Sequence, residues 1–140
     1  MTFNKIRILF LLPSIMLMVG ACSTNDDTAP SPIPDIRDKF VGSWSVNDET
    51  CGKSKYLVTM EKDDASDNLI LIYNFGFSNA TEADKAIVTG NTITLYSQIN
   101  SEGWEIEGVG NYNDAGNINW TYSLLISGTL ENCSATYVKN

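Results

Sequence analysis

The sequence predicts an all-β domain built as a small antiparallel meander barrel of about eight strands. Two patterns carry that expectation. Short runs of β-branched and aromatic residues, bounded by Gly, Asn, Asp and Ser, recur about every dozen residues from residue 39 onward, where helical periodicity is hard to find. Cys51 follows the first such run and Cys133 lies in the last. A bond between them requires the two ends of the meander to meet, whereas an open sheet would hold them far apart. A β-sandwich whose two sheets are joined by the disulfide is the alternative architecture.

The strands are expected near 41–47, 54–62, 68–75, 84–89, 92–99, 103–112, 117–126 and 132–139. In the second, Tyr56, Val58 and Met60 alternate with Leu57, Thr59 and Glu61, so one face is buried and the other wet. Asp64-Ala65-Ser66-Asp67 reads as the turn into the third strand. Gly90-Asn91 separates the fourth and fifth runs and suits a two-residue hairpin, because glycine accepts positive φ. Asp114-Ala115-Gly116 turns the chain into the seventh strand. There Ile118, Trp120, Tyr122, Leu124 and Ile126 alternate with Asn117, Asn119, Thr121 and Ser123.

Upstream of the domain, Lys5 and Arg7 precede an apolar run from Ile8 to Val19, interrupted only by Pro13 and Ser14. That is the layout of a secretory signal, too short to span a bilayer comfortably. Val19-Gly20-Ala21-Cys22 closes it and resembles the lipobox of bacterial lipoproteins. The resemblance implies a signal peptide over residues 1–21 and acyl chains such as palmitate on Cys22, with an uncleaved membrane helix as the alternative. Each buried methylene adds about 0.8 kcal/mol, so more than one chain gives a stable membrane anchor. Residues 22–38, rich in Ser, Thr, Asn, Asp and Pro, read as a disordered stalk. Asp26 and Asp27 resemble the acidic export tags of some Gram-negative lipoproteins, and Asp27-Thr28-Ala29 resembles an O-glycosylation motif of the same bacteria. The expected address is the cell envelope, at the outer membrane.

Residues 39–140 leave about 100 residues, enough for one domain with a modest core. With Lys5 and Arg7 set aside from the nine basic residues, seven remain against 17 acidic ones, a net charge near −10. Such a surface repels phosphate backbones, which excludes nucleic acid as the main partner. Histidine is absent. There is therefore no histidine general base, no Ser-His or Cys-His nucleophile pair and no His-ligated zinc. No phosphate-cradling glycine loop is present, so neither enzyme activity nor a cofactor is expected. In an exported chain, Cys51 and Cys133 are most simply one disulfide, a redox or metal role being the alternative.

Phe40-Val41-Gly42-Ser43-Trp44 resembles the opening of the lipocalins, in which a G-x-W on the first strand places the tryptophan at the closed end of a barrel. With the lipobox and the late Asn132-Cys133-Ser134-Ala135-Thr136-Tyr137 segment, the chain is similar to small lipocalin-like lipoproteins of Gram-negative bacteria, over roughly residues 39 to 139. Lys139 stands where lipocalins often carry an arginine over that tryptophan. The resemblance implies a small hydrophobic ligand inside the barrel, with Trp44, Phe75, Tyr112, Trp120 and Tyr122 as candidate lining residues. The same residues could simply fill so short a barrel. An acidic, tethered barrel could instead bind a basic protein, of the host or of the envelope, on its outer surface.

Two acidic groupings complete the candidates. Glu105 and Glu107 share a strand face and could serve as a general acid and base if they pointed inward. The preferred reading puts them on the wet face, with Trp104, Ile106 and Gly108 turned in. Asp63, Asp64 and Asp67 could offer oxygens to calcium, but their spacing does not fit an EF-hand loop, so an ordinary acidic turn and no metal is expected.

Overall fold

The computed structural model describes residues 33–140. The expected signal peptide, Cys22 and the expected stalk as far as residue 32 lie outside the described residues. Eight antiparallel strands form a meander: β1 (Gly42–Asp48), β2 (Tyr56–Lys62), β3 (Leu69–Tyr73), β4 (Ala83–Thr89), β5 (Thr92–Ile99), β6 (Glu105–Tyr112), β7 (Ile118–Ile126) and β8 (Thr129–Lys139). Each pairs with the next, and β1 returns to pair with β8 from Trp44↔Lys139 to Asp48↔Ala135, so the sheet is a closed barrel rather than a sandwich. Closure gives every strand a partner on both sides, although β4 and β5 pair only from Ile87↔Thr94 to Thr89↔Thr92, and the Gln98 side chain bonds the Lys85 backbone beyond that.

Cys51 and Cys133 form a disulfide with their Cα atoms 5.4 Å apart, tying the β1–β2 loop to β8 across the seam where the barrel closes. The alternations foreseen in β2 and β7 hold. Tyr56, Val58 and Met60 are buried, as are Ile118, Trp120, Tyr122 and Leu124.

One end of the barrel is shut from inside. Phe40 is fully buried, the Trp44 indole Nε1 donates to its carbonyl at 2.8 Å, and the Lys139 ammonium lies 5.4 Å from the centre of the Trp44 ring. A cation over an indole face is attracted by the ring quadrupole. The chain enters at this same end through a segment that the sequence reading gave to the stalk. From Asp35 it is docked: the half-exposed turn at 36–40 carries the buried Arg37, whose guanidinium donates to the carbonyls of Asp63 (3.0 Å), Ser66 (2.6 Å) and Leu69 (3.2 Å). Arg37 also pairs with Asp35 at 2.7 Å, which holds that carboxyl well below the usual range.

Two elements differ from expectation. The third strand, foreseen through residue 75, ends at Tyr73, because Asn74 takes φ 67° and Phe75–Phe77 form a short 3-10 turn. Asn tolerates the left-handed region, and the Asn74 amide secures the kink by donating to the Leu57 carbonyl at 2.8 Å. Phe75 consequently enters the core from the rim. The last strand starts at Thr129 instead of 132, since Ser127 and Gly128 both take positive φ and make a two-residue hairpin that pairs Ile126 with Thr129.

Candidate functional site

The five aromatic residues proposed to line a cavity separate into two groups. Phe75, Trp120 and Tyr122 meet in the middle of the barrel, with the Phe75 ring 5.0 Å from each of the other two in edge-on contact. Trp44 and Tyr112 gather instead around Phe40 at the shut end, Tyr112 packing edge-on to it at 5.6 Å. Room for the central group comes from β6. Gly108 and Gly110 occupy inward positions opposite Tyr122 and Trp120. A Cβ on Gly110 would stand 2.6 Å from the Trp120 ring, and one on Gly108 would stand 2.6 Å from the Tyr122 Cβ. The aromatics thus lie across a strand stripped of side chains, and they pack against each other.

Polar groups are buried beside them. The Tyr122 hydroxyl donates to Asp48 at 3.3 Å, while the Tyr56 and Tyr137 hydroxyls and the Trp120 indole nitrogen are buried without a hydrogen-bond partner. Burial pushes the Tyr56 phenol up to about 12 and raises Tyr122 and Tyr137 as well, so all three stay protonated at neutral pH. Sequence reasoning passed over Asp84, which faces inward on β4 between exposed Lys85 and half-buried Ala83. Burial raises its carboxyl to about 6, and among the described residues no hydrogen bond reaches it.

In the acidic turn, one carboxylate is engaged within the protein and two are exposed. Asp63 accepts from the Ala65 amide at 2.9 Å and pairs with Lys85 at 3.1 Å, while Asp64 and Asp67 are exposed. Among the described residues, the one group of potential metal ligands within 4.8 Å of one another is Cys51, Glu131 and Cys133, and its two sulfurs are bonded together.

Glu105 and Glu107 are exposed, and Ile106 between them is buried. Each is held by a neighbouring strand: the Ser97 hydroxyl of β5 donates to Glu105 at 2.8 Å and the Ser123 hydroxyl of β7 to Glu107 at 3.3 Å. Glu107 lines a groove of about 420 Å³ on the outer wall, which crosses β5 to β8 and is also lined by Tyr96, Val109, Thr121 and Asn132. A bulge in β5 shapes it. Leu95 pairs with Gly108 and Gln98 with Ile106, so Tyr96 and Ser97 together oppose Glu107 and both turn outward. Tyr96 is 59% exposed, and Ile99 and Leu130 are exposed on the same strands.

Charge is segregated around this wall. From Ala86 to Val138 the chain has no lysine or arginine, yet it has Glu102, Glu105, Glu107 and Asp114, besides the half-buried Glu131, which shares the inward parity of Cys133 and has one buried carboxylate oxygen without a partner among the described residues. Strands β5 to β8 fall within that stretch, save for Lys139 itself. Gly108 was expected to turn inward, but neither Gly110 beside it nor the bulge was foreseen from the sequence, although the stretch without cations was there to be read. No protein-family model, curated protein or solved structure matches this chain.

Proposed function

We propose that this protein is a non-catalytic lipoprotein of the bacterial cell envelope, anchored through lipid on Cys22, whose barrel docks a basic protein on the outer wall of β5 to β8. The observation that carries the reading is that wall itself: an apolar groove lined by the held carboxylate of Glu107, with Glu105 on the same strand face, on four strands whose only cation is the terminal Lys139. A field of one sign over half a barrel steers a cationic partner and selects against acidic ones. The core adds support, because Phe75, Trp120 and Tyr122 pack against one another in the barrel interior, where an enclosed hydrophobic ligand would have to lie. The Cys22 anchor rests on the lipobox-like segment at residues 19–22, and the outer-membrane address on the resemblance of Asp26 and Asp27 to acidic export tags.

The test uses the full chain in neutral detergent, titrated with a strongly basic and an acidic protein of similar size, and with a fluorescent fatty acid. The basic protein is expected to bind and to weaken roughly tenfold between about 50 and 500 mM salt, with no binding of the acidic one. Salt-insensitive retention of the fatty acid, without binding of the basic protein, would replace this reading with a ligand carrier. In cells, Cys22→Ser is expected to move the protein out of the membrane fraction, and an unchanged distribution would remove the anchor.

A further inference from the structure

We infer that the groove at the β5 bulge is an arginine-reading pocket: it receives an exposed arginine of the basic partner, together with an apolar residue next to it in the partner's chain. The inference rests on the docking reading above and names the chemistry of that same wall. The bulge places Tyr96 and Ser97 side by side on the outer surface against Glu107. An exposed phenol ring and a carboxylate therefore share one hollow. The Ser123 hydroxyl donates to one Glu107 oxygen, Oε1, at 3.3 Å, which leaves Oε2 without a donor among the described residues, on a carboxylate that lines the groove. A planar guanidinium can stack on the ring while its fork pairs with the carboxylate, and an ammonium cannot do both equally well. Glu105 lies two positions along the same strand face, about 6.6 Å away by strand geometry, and adds a second negative charge. Val109, on that face on the other side of Glu107 and 41% exposed, supplies the apolar contact.

A second hollow, lined by Leu57, Tyr73 and Glu61, has a similar mixture of residues. It lies on β2 and β3, however, where Lys62 on β2 and Lys85 on β4 bring positive charge close by. Complementarity to a cation therefore favours the β5 groove.

The probes are two fluorescently labelled, capped hexapeptides, one alternating arginine with leucine and the other lysine with leucine, titrated into the full chain in neutral detergent. The arginine peptide is expected to bind roughly fivefold or more tightly than the lysine peptide. Tyr96→Ser should abolish that preference and Tyr96→Phe should keep it. Glu107→Gln should weaken arginine-peptide binding roughly tenfold, and Glu61→Gln should leave it unchanged. Tyr96, Glu107 and Glu61 are exposed, so these variants are expected to melt like the parent. Equal binding of the two peptides, or a loss from Glu61→Gln as large as that from Glu107→Gln, overturns the arginine pocket while leaving a general preference for cations standing. Failure of the parent to bind either peptide, with failure to bind the basic protein, overturns both readings.

Discussion

Gly110 shows how one missing side chain organises a core. Its inward position is occupied by the face of Trp120, and Gly110→Ala would drive a methyl into that ring. Overpacking of this kind costs roughly 1–3 kcal/mol, so the denaturant midpoint of Gly110→Ala should fall with the slope unchanged. Asp84 has the opposite sense. Its buried carboxyl keeps its proton to about 6, well above the value for an unfolded chain. Between about pH 4 and 6 the native state is therefore the more protonated, and Asp84's contribution to stability falls as pH rises through that window. Asp84→Asn should stabilise the protein at pH 7.5 by about 1–2 kcal/mol, less than the full two-unit displacement because water still reaches the carboxyl. The gain should vanish near pH 4, as equilibrium unfolding at both pH values would show. The sequence made the aromatic residues visible as core, since Trp120 and Tyr122 fall on an alternating face. It did not announce Asp84, because an acid on an inward position breaks the rule by which inward positions are recognised.

Among the elements, β5 explains what periodicity can and cannot deliver. Ile93 and Leu95 set an inward parity that, continued, would bury Ile99, yet Ile99 is 67% exposed. One extra residue at the bulge inverts every later side chain, and nothing in Tyr96-Ser97-Gln98 marks where the slip occurs. The groove is a product of that slip, so the candidate site was less legible than the fold. The bounds of β5 itself, by contrast, agree at both ends with expectation, because Gly90-Asn91 punctuates its start. The entry segment was misjudged for a compositional reason. Asp35-Ile36-Arg37-Asp38 is polar and follows prolines, but Arg37 finds three carbonyls of the β2–β3 turn that no local pattern encodes. Arg37→Gln should unlatch this segment. Amide exchange at Ser66 and Leu69 is expected to quicken in that variant while β6 and β7 keep their protection; unchanged exchange in the turn would show that the latch is dispensable.

For the molecule as a whole, the closed meander was recoverable because two independent signals converged, strand spacing and the positions of Cys51 and Cys133. The disulfide spans 82 residues. Constraining a loop of that size removes unfolded-state entropy worth about 4–5 kcal/mol in the chain-entropy account. Reduction, or Cys51→Ser with Cys133→Ser, should lower the stability of the barrel by up to that amount, read from denaturant unfolding with and without a dithiol. Function was not recoverable at this scale, since a barrel fold hosts many roles and only its surface chemistry narrows them.

Pairing of β1 with β8 also sets the order of events in the life of the chain. Trp44 and Lys139 are neighbours in space although they stand at opposite ends of the domain's sequence, so the ladder that completes the wall cannot form until the final strand is present. A nascent or partly exported chain ending before Thr129 holds at most an open sheet with two raw edges, the state most exposed to proteases and to sticking to its neighbours. Folding must then be slow and late, because its decisive contacts are the most distant ones. If the chain is exported in extended form, as the proposed address requires, such a delay has a use: the barrel would complete itself only after the last residues had crossed.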